Sequence, residues 1–179
     1  MTTEEYDDLI EDYLNNIKKY MKEAGGLFPH ITIFADKKEE EDTNKAIIHI
    51  PIPPEYMESD GDKDELIEEV LPVIFKEVNK KFIPYAIGWA SEAWMRTASK
   101  VDDIKNYKDL PIKKEVLFIT IETEDKTQCI FYEIKRVGLK VTSDAELTDE
   151  IDLIELKDLR QENNAMGGRF SGLYKKLVK

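Results

Sequence analysis

The sequence predicts an α+β fold: a single antiparallel-rich sheet of about five strands carrying two or three helices, in the order α-β-β-α-β-β-β and then a further helix. Three observations predict it. Apolar residues recur at helical spacing from Tyr6 to Ala24. Short strand-like runs follow, punctuated by charged and proline-rich turns. Finally, Glu115 to Thr123 and Gln128 to Arg136 alternate on either side of the polar turn Glu124-Asp125-Lys126-Thr127.

The first helix carries Tyr6, Leu9, Ile10, Tyr13, Leu14, Ile17, Tyr20, Met21 and Ala24 on one stripe. Thr2 and Glu5 are spaced as a capping box, lysines crowd the far end, and Gly25-Gly26 stops it. Pro29 to Ala35 and Lys45 to Ile52 then read as a hairpin around a highly charged loop. A second helix is expected after Ser59-Asp60-Gly61-Asp62, with Asp62 and Glu65 as its capping box and Leu66, Ile67, Val70, Leu71, Ile74, Phe75 and Val78 on its buried side. Pro72 lacks an amide donor, which predicts a kink or break there. Tyr85 to Met95 reads as a central strand, and Thr97 to Lys114 as a polar connection.

In the strong hairpin, centring the turn on Asp125-Lys126 sets Leu117 opposite Ile134, Ile119 opposite Tyr132 and Ile121 opposite Ile130, a wholly apolar face. The other face pairs Val116 with Lys135, Phe118 with Glu133, Thr120 with Phe131 and Glu122 with Cys129. A face so mixed is either covered by another element or used for binding. Further on, Leu147 to Leu159 reads as a helix capped by Thr148, with an edge strand over Glu150 to Leu156 as the alternative. Residues 1–165 are thus expected as one α+β domain and residues 166–179 as a basic, glycine-containing C-terminal tail.

The chain has 179 residues, is 41% hydrophobic and carries a net charge of −12, enough for a sizeable core and unfavourable for general nucleic-acid binding. Its one cysteine, Cys129, supports no disulfide framework. The acidic amino terminus does not look like a signal peptide, and no run approaches the roughly 20 apolar residues of a membrane span. A cytoplasmic protein that makes no membrane contact is expected.

Candidate site residues are scattered. Glu92 lies in an apolar run and alternates onto the face of Trp94, so it is a ligand carboxylate beside an aromatic wall, or is satisfied by Arg96 or a lysine on a neighbouring strand, or lies on a face that meets solvent. His30 and His49 fall on the two strands of the first hairpin, and pairing Ala35 with Ala46 makes them diagonal neighbours facing a shared position, although a metal site would need a further carboxylate. His30-Ile31-Thr32 has the form of the His-x-Thr element of two-histidine phosphoesterases, but His49-Ile50-Pro51 cannot supply the second copy, and that family is rejected. Glu133-Ile134-Lys135 resembles the Glu-x-Lys element of magnesium-dependent nucleases, yet the acid expected on the preceding strand is missing, because Glu115 faces Arg136. Gly167 to Gly172, with Arg169, is a weak phosphate-cradle candidate without the strand-loop-helix context of a P-loop. Glu39 to Asp42, with the acids from Glu55 to Asp64, is the feature a nucleic-acid mimic would use.

The string Ser91-Glu92-Ala93-Trp94-Met95, followed by the acidic-ended strand Val116 to Glu122, resembles small uncharacterised bacteriophage and bacterial proteins. That resemblance implies a phage or prophage source and transfers no functional residue. The sequence reading is therefore a non-catalytic intracellular binding protein without metal or cofactor, acting on a protein partner, on itself or on a small ligand. Its binding residues are expected among Glu92, Trp94, Phe118, Phe131, Glu133 and Arg169. A divalent-metal hydrolase or nuclease and an acidic nucleic-acid mimic are the alternatives.

Overall fold

A computed structural model describes residues 2–38, 45–96, 110–157, 161–162, 170 and 172–178. The elements in chain order are α1 (Thr3–Ala24), β1 (His30–Lys37), β2 (Lys45–Pro51), α2 (Asp60–Glu65), a π-helical turn (Leu66–Val70), α3 (Leu71–Lys81), β3 (Phe82–Arg96), β4 (Ile112–Glu122), β5 (Thr127–Val141), β6 (Leu147–Glu155), β7 (Gln161–Glu162) and α4 (Leu173–Leu177). The fold is α+β. Its strands run in the order β2-β1-β3-β4-β5-β6, with the two-residue β7 beside β5, so six strands and a short seventh replace the expected five. The chain groups into two compact units. The first takes Met1–Leu27, Glu92–Phe118 and Phe131–Leu159, and the second Phe28–Ser91, Ile119–Ile130 and Arg160–Lys179.

In the first unit, α1 begins with the expected capping box: Thr2 Oγ1 accepts from the Glu5 amide at 3.2 Å and Glu5 Oε2 accepts from the Thr2 amide at 2.7 Å. Such a cap stabilises a helix by about 1 kcal/mol. Gly25 ends it at φ 75°, and a Cβ there would collide with the Thr148 hydroxyl and stand 2.9 Å from the Asp149 nitrogen. Glycine is required on both counts.

The strand β6 (Leu147–Glu155) corrects the helix expected over Leu147 to Leu159 and agrees with the edge strand given as its alternative over Glu150 to Leu156. β5 runs on to Val141 instead of stopping at Arg136, so β6 gains an antiparallel partner, with Ile134 opposite Leu153 and Val141 opposite Leu147. Cross-strand pairing outweighs the helical pattern of a short segment. Thr148 does not cap a helix of its own; its hydroxyl donates to the Ala24 carbonyl at 2.8 Å, closing the end of α1. One extra residue lies in β5 between Arg136 and Gly138, a bulge that lets the ribbon bend.

In the second unit, β1 and β2 pair as expected, Ala35 with Ala46 and Thr32 with His49. The second helical stretch starts one turn earlier than expected: its box joins Ser59 with Asp62, not Asp62 with Glu65, because the Ser59 hydroxyl already takes the Asp62 amide at 3.2 Å. The disturbance expected at Pro72 is the π-helical turn before it, where the chain widens around the missing donor. The hairpin turn sits one position earlier than expected: the Thr123 amide donates to the Lys126 carbonyl at 2.8 Å, leaving Glu124-Asp125 as the turn. Opposed residues shift by two, which keeps every side chain on its face. Leu117, Ile119, Ile121, Ile130, Tyr132 and Ile134 are accordingly all buried. At about 1.5–3 kcal/mol per buried aliphatic side chain, a one-residue slip that exposed them is far too costly to be populated.

Candidate functional site

The part of β5 that belongs to the first unit presents two chemically different faces. Tyr132, Ile134 and Arg136 alternate onto the side of α1, where Lys18 Nζ lies 5.6 Å from the Tyr132 ring centre. Phe131, Glu133 and Lys135 point the other way.

On that second face the Phe118 and Phe131 rings meet with centroids 5.0 Å apart and planes tilted by 33°. Both are half-buried, and Ile154, directly across from Glu133 in the ladder, is 44% exposed. Lys114 Nζ donates to Glu133 Oε2 at 2.6 Å, and this bond holds the Glu133 carboxyl below its ordinary pKa. Glu133 is therefore spent on a lysine one strand away. Lys135 stands opposite Asp152 of β6. The expected trio Phe118, Phe131 and Glu133 is thus brought together as an aromatic pair rimmed by alternating charges.

Glu92 and Trp94 do not join it. Glu92 belongs to a cluster on the α1 side centred on Arg136, a residue whose hub role sequence reasoning missed apart from its pairing with Glu115. Arg136 donates from Nε to Glu115 Oε2 at 3.1 Å and from Nη2 to Glu115 Oε1 at 2.5 Å. Its Nη2 also reaches Glu92 Oε2 at 3.1 Å, and Nη1 reaches Asp149 Oδ2 at 2.6 Å and the Gly25 carbonyl at 3.0 Å. The second Glu92 oxygen accepts from the Leu27 amide at 2.5 Å. Burial pushes the Glu92 carboxyl up, the Leu27 amide and Arg136 pull it down, and its neighbour Glu115 raises it again. The Glu115 bond, with Asp149 and Glu92 adding, raises the Arg136 pKa further. The partner expected for Glu92 was Arg96 or a lysine; Arg96 instead donates to the Leu110 carbonyl. Trp94 is 62% exposed.

In the second unit, buried Glu122 accepts from the amides of Gly172 at 2.7 Å and Tyr174 at 3.0 Å, which ties down the start of α4. Phe170 stacks on buried Trp89 at 3.9 Å with planes 8° apart. Within the basic C-terminal segment, Leu173–Leu177 therefore fold as the helix α4, whose Leu173, Tyr174 and Leu177 are buried; Arg169 lies outside the described residues. Cys129 is buried, and desolvation with the Glu122 charge pushes its thiol up to about 11. A cavity of 380 Å³ is bordered by Lys76, Lys80 and Lys176 over Pro72 and Leu177. Lys80 is bound to Glu77 at 2.6 Å, and cations in the last turns of α3 and α4 offset the helix dipoles.

The rings of His30 and His49 lie 6.1 Å apart. His30 Nδ1 donates to the Phe28 carbonyl at 3.1 Å, and His49 Nδ1 meets the Thr32 hydroxyl at 2.9 Å. Burial keeps His30 below its ordinary pKa. Among the described residues no three His, Cys, Asp or Glu side chains gather as a metal site. The loop from Glu39 to Asp42 lies outside the described residues. No helix among the described residues is long and apolar enough to cross a membrane. No known protein family, curated protein or solved structure matches the chain.

Proposed function

We propose that this is a non-catalytic binding protein that engages a protein partner through the face of Phe118, Phe131 and Ile154. The observation that supports this reading is the Phe118–Phe131 pair, half-buried and edged by the exposed Ile154 on the side of the sheet opposite α1. Aromatic anchors with a polar rim are the composition of interface centres, because a ring buries a large area while ordering few torsions. The rim here is Lys114–Glu133 and Lys135 with Asp152.

The competing nuclease reading needs Glu133 free to hold a metal, and its carboxylate is engaged by Lys114. The bacteriophage resemblance adds no residue to either reading.

Site-directed photo-cross-linking tests the proposal. A benzophenone side chain replacing Phe131 should give a discrete adduct in the native host. The same group at Ile47, exposed on β2, should not. Phe118→Asp should abolish the adduct while the circular dichroism spectrum is retained. An adduct of twice the chain mass would make the partner a second copy. No adduct, or one indifferent to Phe118→Asp, overturns the reading.

A further inference from the structure

We infer that the partner binds as an added strand along Glu150 to Ile154 of β6, and that it is a basic extended segment with an apolar residue placed to cover Ile154. This deepens the proposed binding role and rests on it.

β6 is the last strand of the path, paired on one side with β5 and on its other side with no strand among the described residues. An edge strand left so offers unpaired amides and carbonyls to an incoming chain. The end of α1 packs against its beginning, through Thr148 on Ala24 and Gly25 beside Asp149.

From Glu150 onward, three side chains alternate onto the Phe131 face: Glu150 opposite Gly138, Asp152 opposite Lys135, and Ile154 opposite Glu133. All three are exposed. An antiparallel visitor would therefore set one side chain against Ile154, the second residue after it against Asp152 and the fourth against Glu150. The complementary order is apolar, basic, basic at alternate positions.

Charge decides between a foreign strand and a second copy. β6 contains Asp149, Glu150, Asp152 and Glu155 and no basic residue. Two copies joined edge to edge would bring these carboxylates together, and like charges across a ladder destabilise it. A lysine-bearing strand reverses that sign.

The test uses the full chain and the probe Thr-Ile-Thr-Lys-Thr-Lys-Thr, capped at both ends, followed by amide chemical shifts. Saturable shifts centred on residues 150–154 are expected, with affinity falling as salt rises. Exchanging the probe's lysines for glutamates should abolish binding, and exchanging its isoleucine for serine should weaken it. Glu150→Lys with Asp152→Lys should weaken it about tenfold, the equivalent of two cross-strand pairs turned repulsive. N-methylating either alternate set of probe amides shows which edge of the probe pairs, and one set must eliminate binding.

Absence of binding overturns the inference. So does binding that survives both N-methylated sets or the loss of isoleucine, since charge alone would then explain it. A negative result here beside a positive cross-link at position 131 removes the strand mode and leaves the binding function standing. Failure of the cross-link removes the function itself.

Discussion

Arg136 lies side-on to Glu115, each carboxylate oxygen taking one guanidinium nitrogen, Nε to Oε2 at 3.1 Å and Nη2 to Oε1 at 2.5 Å. Such a two-point contact fixes the plane of the guanidinium, and that plane directs the remaining donors at Glu92, Asp149 and the Gly25 carbonyl. One side chain of β5 thereby ties β3, β4, β6 and the end of α1 together. Removing it leaves three carboxylates without their shared cation. Arg136→Ala should cost about 2–3 kcal/mol in urea unfolding, and Arg136→Lys somewhat less, because a point charge cannot reproduce the fork. Lys135→Ala, next door on the exposed face, should stay within about 0.5 kcal/mol. A loss under about 1 kcal/mol for Arg136→Ala would show the cluster to be ornamental to stability.

Glu92 supplies a pH signature. Burial holds its carboxyl above the ordinary value, so between the unfolded and folded pKa the native state binds the proton more readily than the unfolded chain. The stability this group contributes is therefore fully present below the unfolded pKa and is lost as pH rises through the folded pKa. Glu92→Gln removes the titration while retaining an oxygen for the Leu27 amide. The difference in unfolding free energy, wild type minus variant, should fall as pH rises above the ordinary glutamate pKa of about 4.3. A difference that rises over that range would falsify the direction of the shift.

The residues that revealed the fold were those whose partners lie close in sequence or repeat with a clear period. The capping box of α1 is local to Thr2 and Glu5, and the β1/β2 hairpin has the Ala35–Ala46 pairing supposed for it, although the charged loop between the strands does not itself fix that register. The six buried residues of the β4–β5 hairpin survived even a displaced turn, because a shift of two preserves each face. β6 was read as the alternative to a helix, because its alternation is weak and its partner, the far end of β5, was itself unrecognised. That Phe118 and Phe131 share a face was legible from the same hairpin, although the expected register set Phe118 opposite Glu133, whereas the Arg136 cluster gathers residues from positions 25 to 149 and has no local pattern. Only its Glu115 contact lay between neighbouring strands. The distance between Glu92 and its cation in sequence is what hid their pairing.

Glu122 is the hinge on which the described end of the chain depends. It is 2% exposed, and its two oxygens each take one amide, from Gly172 and from Tyr174. Glu122→Ala strands both donors in a buried place, at about 1–3 kcal/mol for each unsatisfied group. The expected result is loss of amide-exchange protection over residues 172–178, while α1 keeps its protection. Glu122→Gln keeps one acceptor and should give an intermediate effect. It also removes the negative charge that, after burial, raises the Cys129 thiol. In Glu122→Gln that thiol should ionise below its present value of about 11, seen as thiolate absorbance appearing earlier in an alkaline titration. Protection unchanged in Glu122→Ala would mean that Leu173, Tyr174 and Leu177 hold α4 by burial alone; an unmoved Cys129 titration in Glu122→Gln would place all of its shift on desolvation.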